Sequence, residues 1–113
     1  MLTIYHNNRC SKSRQALQLL QENGHQPKVV PYLTQTPTAA ELKELLTKLK
    51  LSPEDIIRKG EKLYKEVYAG QHLTQDQWLE VLSQNPVLLE RPIVVNGDKA
   101  VVGRPPENVL TIL

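Results

Sequence analysis

The chain has 113 residues, 40% of them hydrophobic and 23% charged, the make-up of one soluble domain spanning residues 1–113. Its formal net charge of +2 is too small for a nucleic-acid binder, and no apolar run reaches the length of a membrane span. A single cysteine excludes an internal disulfide, and the N-terminus enters a strand pattern at once, so a cytoplasmic protein without a signal peptide is expected.

Leu2 and Ile4 alternate with Thr3 and Tyr5, the period-two pattern of a strand. From Ser11 to about Glu22 the pattern turns helical, with Ala16, Leu17 and Leu20 as the apolar face and Asn23-Gly24 as the stop. Val29, Val30, Tyr32 and Leu33 predict a second strand. Pro31 within it places that strand at a sheet edge, where a missing N–H is tolerated. Thr38 and Glu41 form a capping box ahead of Leu42, Leu45, Leu46 and Leu49, one stripe of a helix. Ser52-Pro53 opens a short helix, and Tyr64, Val67 and Tyr68 suggest another. Thr74 and Gln77 form a second capping box before Trp78, Leu79 and Leu82, and Asn85-Pro86 ends that helix. Ile93-Val94-Val95 and Ala100-Val101-Val102 flank Asn96-Gly97-Asp98-Lys99, a hairpin signal in which Asn and Gly accept the positive φ of a tight turn. Arg104-Pro105-Pro106 leads into a last helix carrying Val109, Leu110, Ile112 and Leu113. This order predicts an α/β protein of the thioredoxin-like (glutaredoxin-type) fold. Its mixed four-stranded sheet carries a helical insertion between strands 2 and 3.

The only cysteine, Cys10, lies in "HNNRCSKSR", between the first strand and the first helix. The free N–H groups of a first helical turn carry partial positive charge and stabilise a thiolate over a thiol. Arg9, Lys12 and Arg14 add to that if they point inward. A buried structural cysteine is the plainer alternative, but Cys10 has no apolar neighbour within three residues on either side. Cys10 to Ser13 spells Cys-x-x-Ser, which cannot close an intramolecular disulfide, so an adduct on Cys10 needs an outside thiol for release. Ser13 either donates a hydrogen bond to the sulfur or a bound oxyanion, or faces water.

Three further segments each set an arginine beside a structural punctuation mark: Arg58 before Gly60, Arg91 before Pro92, and Arg104 between Gly103 and Pro105. Fixed backbone on both sides suits an aimed side chain, although a lone arginine is most often a solvated charge. In a thioredoxin-like fold the loop before the third strand lies beside the first helix N-terminus and its proline is typically cis, so a cis Arg91-Pro92 bond is expected.

The segments "IYHNNRCSKSR", "IIRKG", "NPVLLERPIVVNG" and "GRPPE", in this order and spacing, resemble the ArsC family, the glutathione- and glutaredoxin-coupled arsenate reductases. The resemblance spans nearly the whole chain. It implies an oxidoreductase that reduces arsenate to arsenite through a cysteine thiolate adduct. Cys10 falls on the family's nucleophile, and Arg58, Arg91 and Arg104 on its anion-binding arginines. His6 falls on the histidine implicated in lowering the cysteine pKa, with Ser13, Arg14 and Pro92 in support. The implied partners are arsenate, glutathione as co-substrate and glutaredoxin. No tightly bound cofactor, metal, nucleic acid or membrane is expected, and the chain is expected to act as a monomer. Two departures stand out: Ser11 follows the cysteine where well-known members have Gly, and those members carry a longer C-terminal extension. The rival functions are a monothiol glutaredoxin-like oxidoreductase, which gives the arginines no common task, and an ArsC-related regulatory binding protein, whose usual Cys-x-x-Cys switch is absent here.

Overall fold

Alternate residues of the first strand are buried and half-buried, as its period-two pattern requires: β1 runs Leu2–His6, with Leu2, Ile4 and His6 turned inward. The structure is a computed structural model that describes residues 2–113. After β1 come α1 (Ser11–Glu22), β2 (Lys28–Pro31), α2 (Ala39–Leu49), α3 (Gln75–Gln84), β3 (Ile93–Asn96) and β4 (Lys99–Val102). Short 3₁₀ turns occupy Pro53–Ile56, Pro86–Leu88 and Pro106–Ile112, and a single π turn occupies Tyr64–Tyr68. No helix among the described residues is long and apolar enough to cross a membrane.

The chain's internal contacts gather into two units, Met1–Gln35 with Arg91–Leu113, and Thr36–Glu90. The first holds one sheet in the order β2-β1-β3-β4. β1 pairs parallel with β2, which demands the crossover that α1 supplies, and antiparallel with β3, which pairs antiparallel with β4. Ile4 stands between Val29 on one side and Val94 on the other. This mixed four-stranded sheet, with helices inserted between its second and third strands, is the thioredoxin-like fold. Its core is Leu2, Ile4, Ala16, Leu20, Val94, Val109 and Ile112. Burial of such side chains contributes about 1.5–3 kcal/mol each.

Several sequence expectations are met in this unit. Asn23 caps α1 and Gly24 follows with φ 83°. β2 is an edge strand, so Pro31 costs the sheet no ladder bond on its outer side. The second strand is shorter than expected, however. It ends at Pro31, whose carbonyl accepts from the N–H groups of Thr34 and Gln35, and the chain turns there. Tyr32, expected in the strand, is instead a buried turn residue, and Leu33 is exposed. The hairpin turn is tighter than expected as well. Asn96 pairs with Lys99 across a two-residue loop, and the positive φ, 64°, belongs to Gly97 and not to Asn96. The terminal helix is a 3₁₀ run that buries Val109 and Ile112 and leaves Leu110 and Leu113 outside.

The second unit is helical. Both predicted capping boxes form: Thr38 Oγ1 accepts from the Glu41 N–H at 3.1 Å, and Thr74 Oγ1 from the Gln77 N–H at 3.2 Å. Each such cap contributes about 1 kcal/mol. α2 packs on α3, burying Leu42, Leu45 and Leu46 of one and Trp78, Leu79 and Leu82 of the other. Tyr64 and Tyr68 set their rings against Trp78 with centroids 6.5 and 6.0 Å away. The middle of this unit is tied to its C-terminal end by the Ile57–Leu89 bridge and by the Arg58 N–H, which donates to Leu88 O at 2.7 Å.

Candidate active site

Cys10 is the N-cap of α1, with extended backbone angles. Its own N–H donates to Asn7 O at 3.0 Å and its carbonyl accepts from the Arg14 N–H at 3.0 Å, so the loop closes tightly and the helix starts at once. The side chain is buried but its surroundings are polar. Arg104 Nη2 approaches the sulfur to 3.4 Å, and the guanidinium of Arg91 also hydrogen-bonds it. Burial pushes the Cys10 thiol up. The backbone N–H of Ser13, the Arg91 guanidinium and the N–H of Lys12 outweigh that push and hold the thiol below its ordinary value.

The two arginines are held where they stand. Arg104 Nε donates to Arg91 O at 2.7 Å, which ties one guanidinium to the backbone carrying the other. Gly103 N–H donates to Pro92 O at 2.8 Å, and the Arg91-Pro92 bond is cis, as expected from the sequence. The Arg104-Pro105 bond is cis too, which was not anticipated. Gly103 is required by space: a Cβ there would lie 2.9 Å from Pro92 Cγ. Arg91 touches Tyr32 as well as Cys10. Burial disfavours the charge on Arg91, but the sulfur and Tyr32 more than compensate and raise its pKa. Arg91 Nε is buried without a hydrogen-bond partner among the described residues.

The cations next to Cys10 in sequence play a smaller part than their proximity suggested. Arg9, Lys12 and Arg14 are all exposed, and Arg14 spends an Nη1 donor on Asn8 O at 3.0 Å. Lys12 acts on the sulfur through its backbone N–H. Ser13 neither faces water nor donates to the sulfur. It is wholly buried, with its Oγ 2.7 Å from His6 Nδ1. His6 is also buried. Burial lowers its pKa below the usual 6.5; a bond to the Asn8 side chain opposes this, and the nearby Arg14 charge adds to it. The site thus favours the neutral ring of His6. Arg58 belongs to the helical unit, where it is paired with Glu61 and Glu90, each at 3.4 Å. Tyr32, Asn7 and Asn8 escaped the sequence reading. Tyr32 was the most accessible of these, since an aromatic directly after a strand-ending proline is well placed to turn inward.

The ArsC family model matches residues 5–112. The chain belongs to the ArsC family. Among its relatives, the uncharacterized protein YfgD of Escherichia coli (strain K12) is 49% identical over 112 residues, covering 97% of this chain and 94% of that one. The arsenate reductase of Neisseria meningitidis serogroup A is 46% identical over 114 residues, covering 99% and 97%. The solved structure of the arsenate reductase from Vibrio cholerae superposes with a TM-score of 0.96 at 45% identity, covering 99% of this chain and 97% of that one. The match to the ArsC model, residues 5–112, includes Cys10, Arg58, Arg91 and Arg104.

Proposed function

We propose that this ArsC protein is an arsenate reductase, with Cys10 as nucleophile and Arg91, Arg104 and Arg58 as the groups that bind the oxyanion. The observation that carries the reading is the meeting of two remote guanidinium groups, Arg91 and Arg104, on the sulfur of a helix-capping cysteine. Arginine suits a tetrahedral dianion because its planar fork is always charged and binds two oxygens at once. Such groups reduce the repulsion between thiolate and dianion and stabilise charge on the oxygens as the S–As bond forms. Arg91 Nε offers a donor not already committed within the protein. Arg58 enters this reading by the family resemblance; within the helical unit it is paired with Glu61 and Glu90.

One thiol per chain calls for thiols from outside, and the family resemblance implies glutathione and glutaredoxin in that role. The Cys10 sulfur bonds to arsenic and one oxygen leaves as water. Glutathione brings a second sulfur to arsenic, displacing another oxygen as water. A glutaredoxin thiolate then attacks the glutathione sulfur. Forming the glutathione–glutaredoxin disulfide breaks the bond from the glutathione sulfur to arsenic and leaves its electron pair there, taking arsenic from As(V) to As(III), and water frees arsenite from Cys10. Resemblance to the named arsenate reductases supports the substrate. The glutaredoxin-like alternative leaves the convergence of Arg91 and Arg104 without a task.

The test is arsenite production with glutathione, glutaredoxin and NADPH-coupled glutathione reductase. Turnover well above a Cys10→Ser control is expected. No turnover above that control refutes the proposal, and deglutathionylation that survives Arg91→Ala and Arg104→Ala would favour the alternative.

A further inference from the structure

The buried face of α1 is Ser13, Ala16 and Leu20. A serine with no exposed surface is costly unless its hydroxyl is fully used. Here it is. Ser13 Oγ accepts from the Asn7 N–H at 3.1 Å and lies 2.7 Å from His6 Nδ1. A wholly buried hydroxyl also needs an acceptor for its own proton, and the partner beside it is His6 Nδ1; that tautomer leaves the ring proton on Nε2. His6 ends β1, and Ser13 lies in the first turn of α1. One hydroxyl therefore joins the two flanks of the loop that carries Cys10. Within the loop, Asn7 accepts from the Cys10 N–H through its carbonyl and from the Arg9 N–H through its Oδ1, both at 3.0 Å.

We propose that Ser13 is a positioning residue: its hydroxyl, anchored on His6 Nδ1 and the Asn7 N–H, sets the first turn of α1 so that the Ser13 and Lys12 N–H groups bear on the Cys10 sulfur. His6 then acts on the thiol as an uncharged acceptor and not as a neighbouring cation. The serine of Cys-x-x-Ser is accordingly not a vacated resolving position. It is the tie that orients the backbone donors. The inference rests on Cys10 being a reactive thiolate, but not on arsenate being what it attacks.

The test follows alkylation of Cys10 against pH in Ser13→Ala, His6→Leu and His6→Asn, beside the arsenite assay on the unaltered protein. An asparagine amide oxygen can stand where Nδ1 stands and cannot become charged. Ser13→Ala and His6→Leu are expected to raise the alkylation midpoint by about one pKa unit, a tenfold drop in thiolate fraction below the midpoint. His6→Asn is expected to hold it within about a third of a unit. Combining Ser13→Ala with His6→Leu should add little to either alone, since both cut the same tie. An unmoved midpoint in Ser13→Ala overturns the proposal. So does His6→Asn moving as far as His6→Leu, because the ring's charge would then be the agent. Should Ser13→Ala or His6→Leu fail to fold, the His6→Asn midpoint decides alone: retained supports the tie, and raised overturns it. Alkylation reads the sulfur without arsenate, so absent arsenite turnover with a low midpoint would defeat the proposed substrate and leave this inference standing.

Discussion

Replacing Gly103 by alanine should damage both the fold and the thiol. The added Cβ would lie 2.9 Å from Pro92 Cγ, 3.2 Å from Val109 Cγ1 and 3.5 Å from Ala16 Cβ. Carbon atoms pack at about 3.5–4.0 Å, so the contact with Pro92 is short by roughly 0.6 Å. A proline ring cannot swing aside, and Gly103 is bound to it through the 2.8 Å bond to Pro92 O. Overpacking of this kind costs about 1–3 kcal/mol. At roughly 2.1 cal/mol/K per residue, the unfolding entropy of a 113-residue chain makes each kcal/mol worth about 4 °C, so Tm should fall by about 4–13 °C. The displacement reaches the site through the next residue, because Arg104 holds both Arg91 O at 2.7 Å and the Cys10 sulfur at 3.4 Å. Thermal unfolding by circular dichroism reads the first effect, and iodoacetamide alkylation of Cys10 against pH reads the second. The midpoint should move up toward the free-thiol value of about 8.5. A Tm within about 1 °C of the parent and an unmoved midpoint would show that the close approach of Gly103 to Pro92 has no consequence.

Arg91→Ala should raise the Cys10 alkylation midpoint, and Arg91→Lys should recover only part of the loss, because a point charge replaces a planar fork. Leu82→Ala empties a wholly buried position on α3 and should cost about 2–5 kcal/mol in urea unfolding. The lowered pKa of His6 also predicts a pH dependence of stability. The unfolded chain takes up the proton first, so the contribution is complete above pH 6.5 and is lost as pH falls from 6.5 through the folded value. His6→Asn should flatten that part of the stability profile, and an identical profile in the variant would remove His6 as its source.

What the sequence made legible was whatever is written in local chemistry. Thr38 with Glu41 and Thr74 with Gln77 cap helices by bonds between near neighbours, and both formed. Pro31 marked an edge because a missing donor is tolerated only there. Cys10 was legible as a helix-start thiol for the same reason. The rest depends on directions that adjacency does not encode. Arg9, Lys12 and Arg14 were weighed by closeness in sequence, yet their side chains are exposed, while Arg91 and Arg104 reach the sulfur from the far end of the chain. The burial of Ser13 was missed although a signal was present: positions 13, 16 and 20 share one helix face, and two of them are apolar. Its polarity hid a periodicity that placed it inside. The early end of the second strand escaped for a related reason, since Tyr32 satisfies an alternating pattern equally well as a buried turn residue.

A sulfur that ionises readily also departs readily, since the tendency of a thiol to leave falls with its basicity. The backbone donors and guanidinium groups that draw the proton off Cys10 therefore also weaken whatever bond Cys10 makes next. In a chain with one cysteine, the proposed reaction relies on that lability in place of a second thiol: an external sulfur would unload Cys10, and helix α1 would regain its negative cap each time.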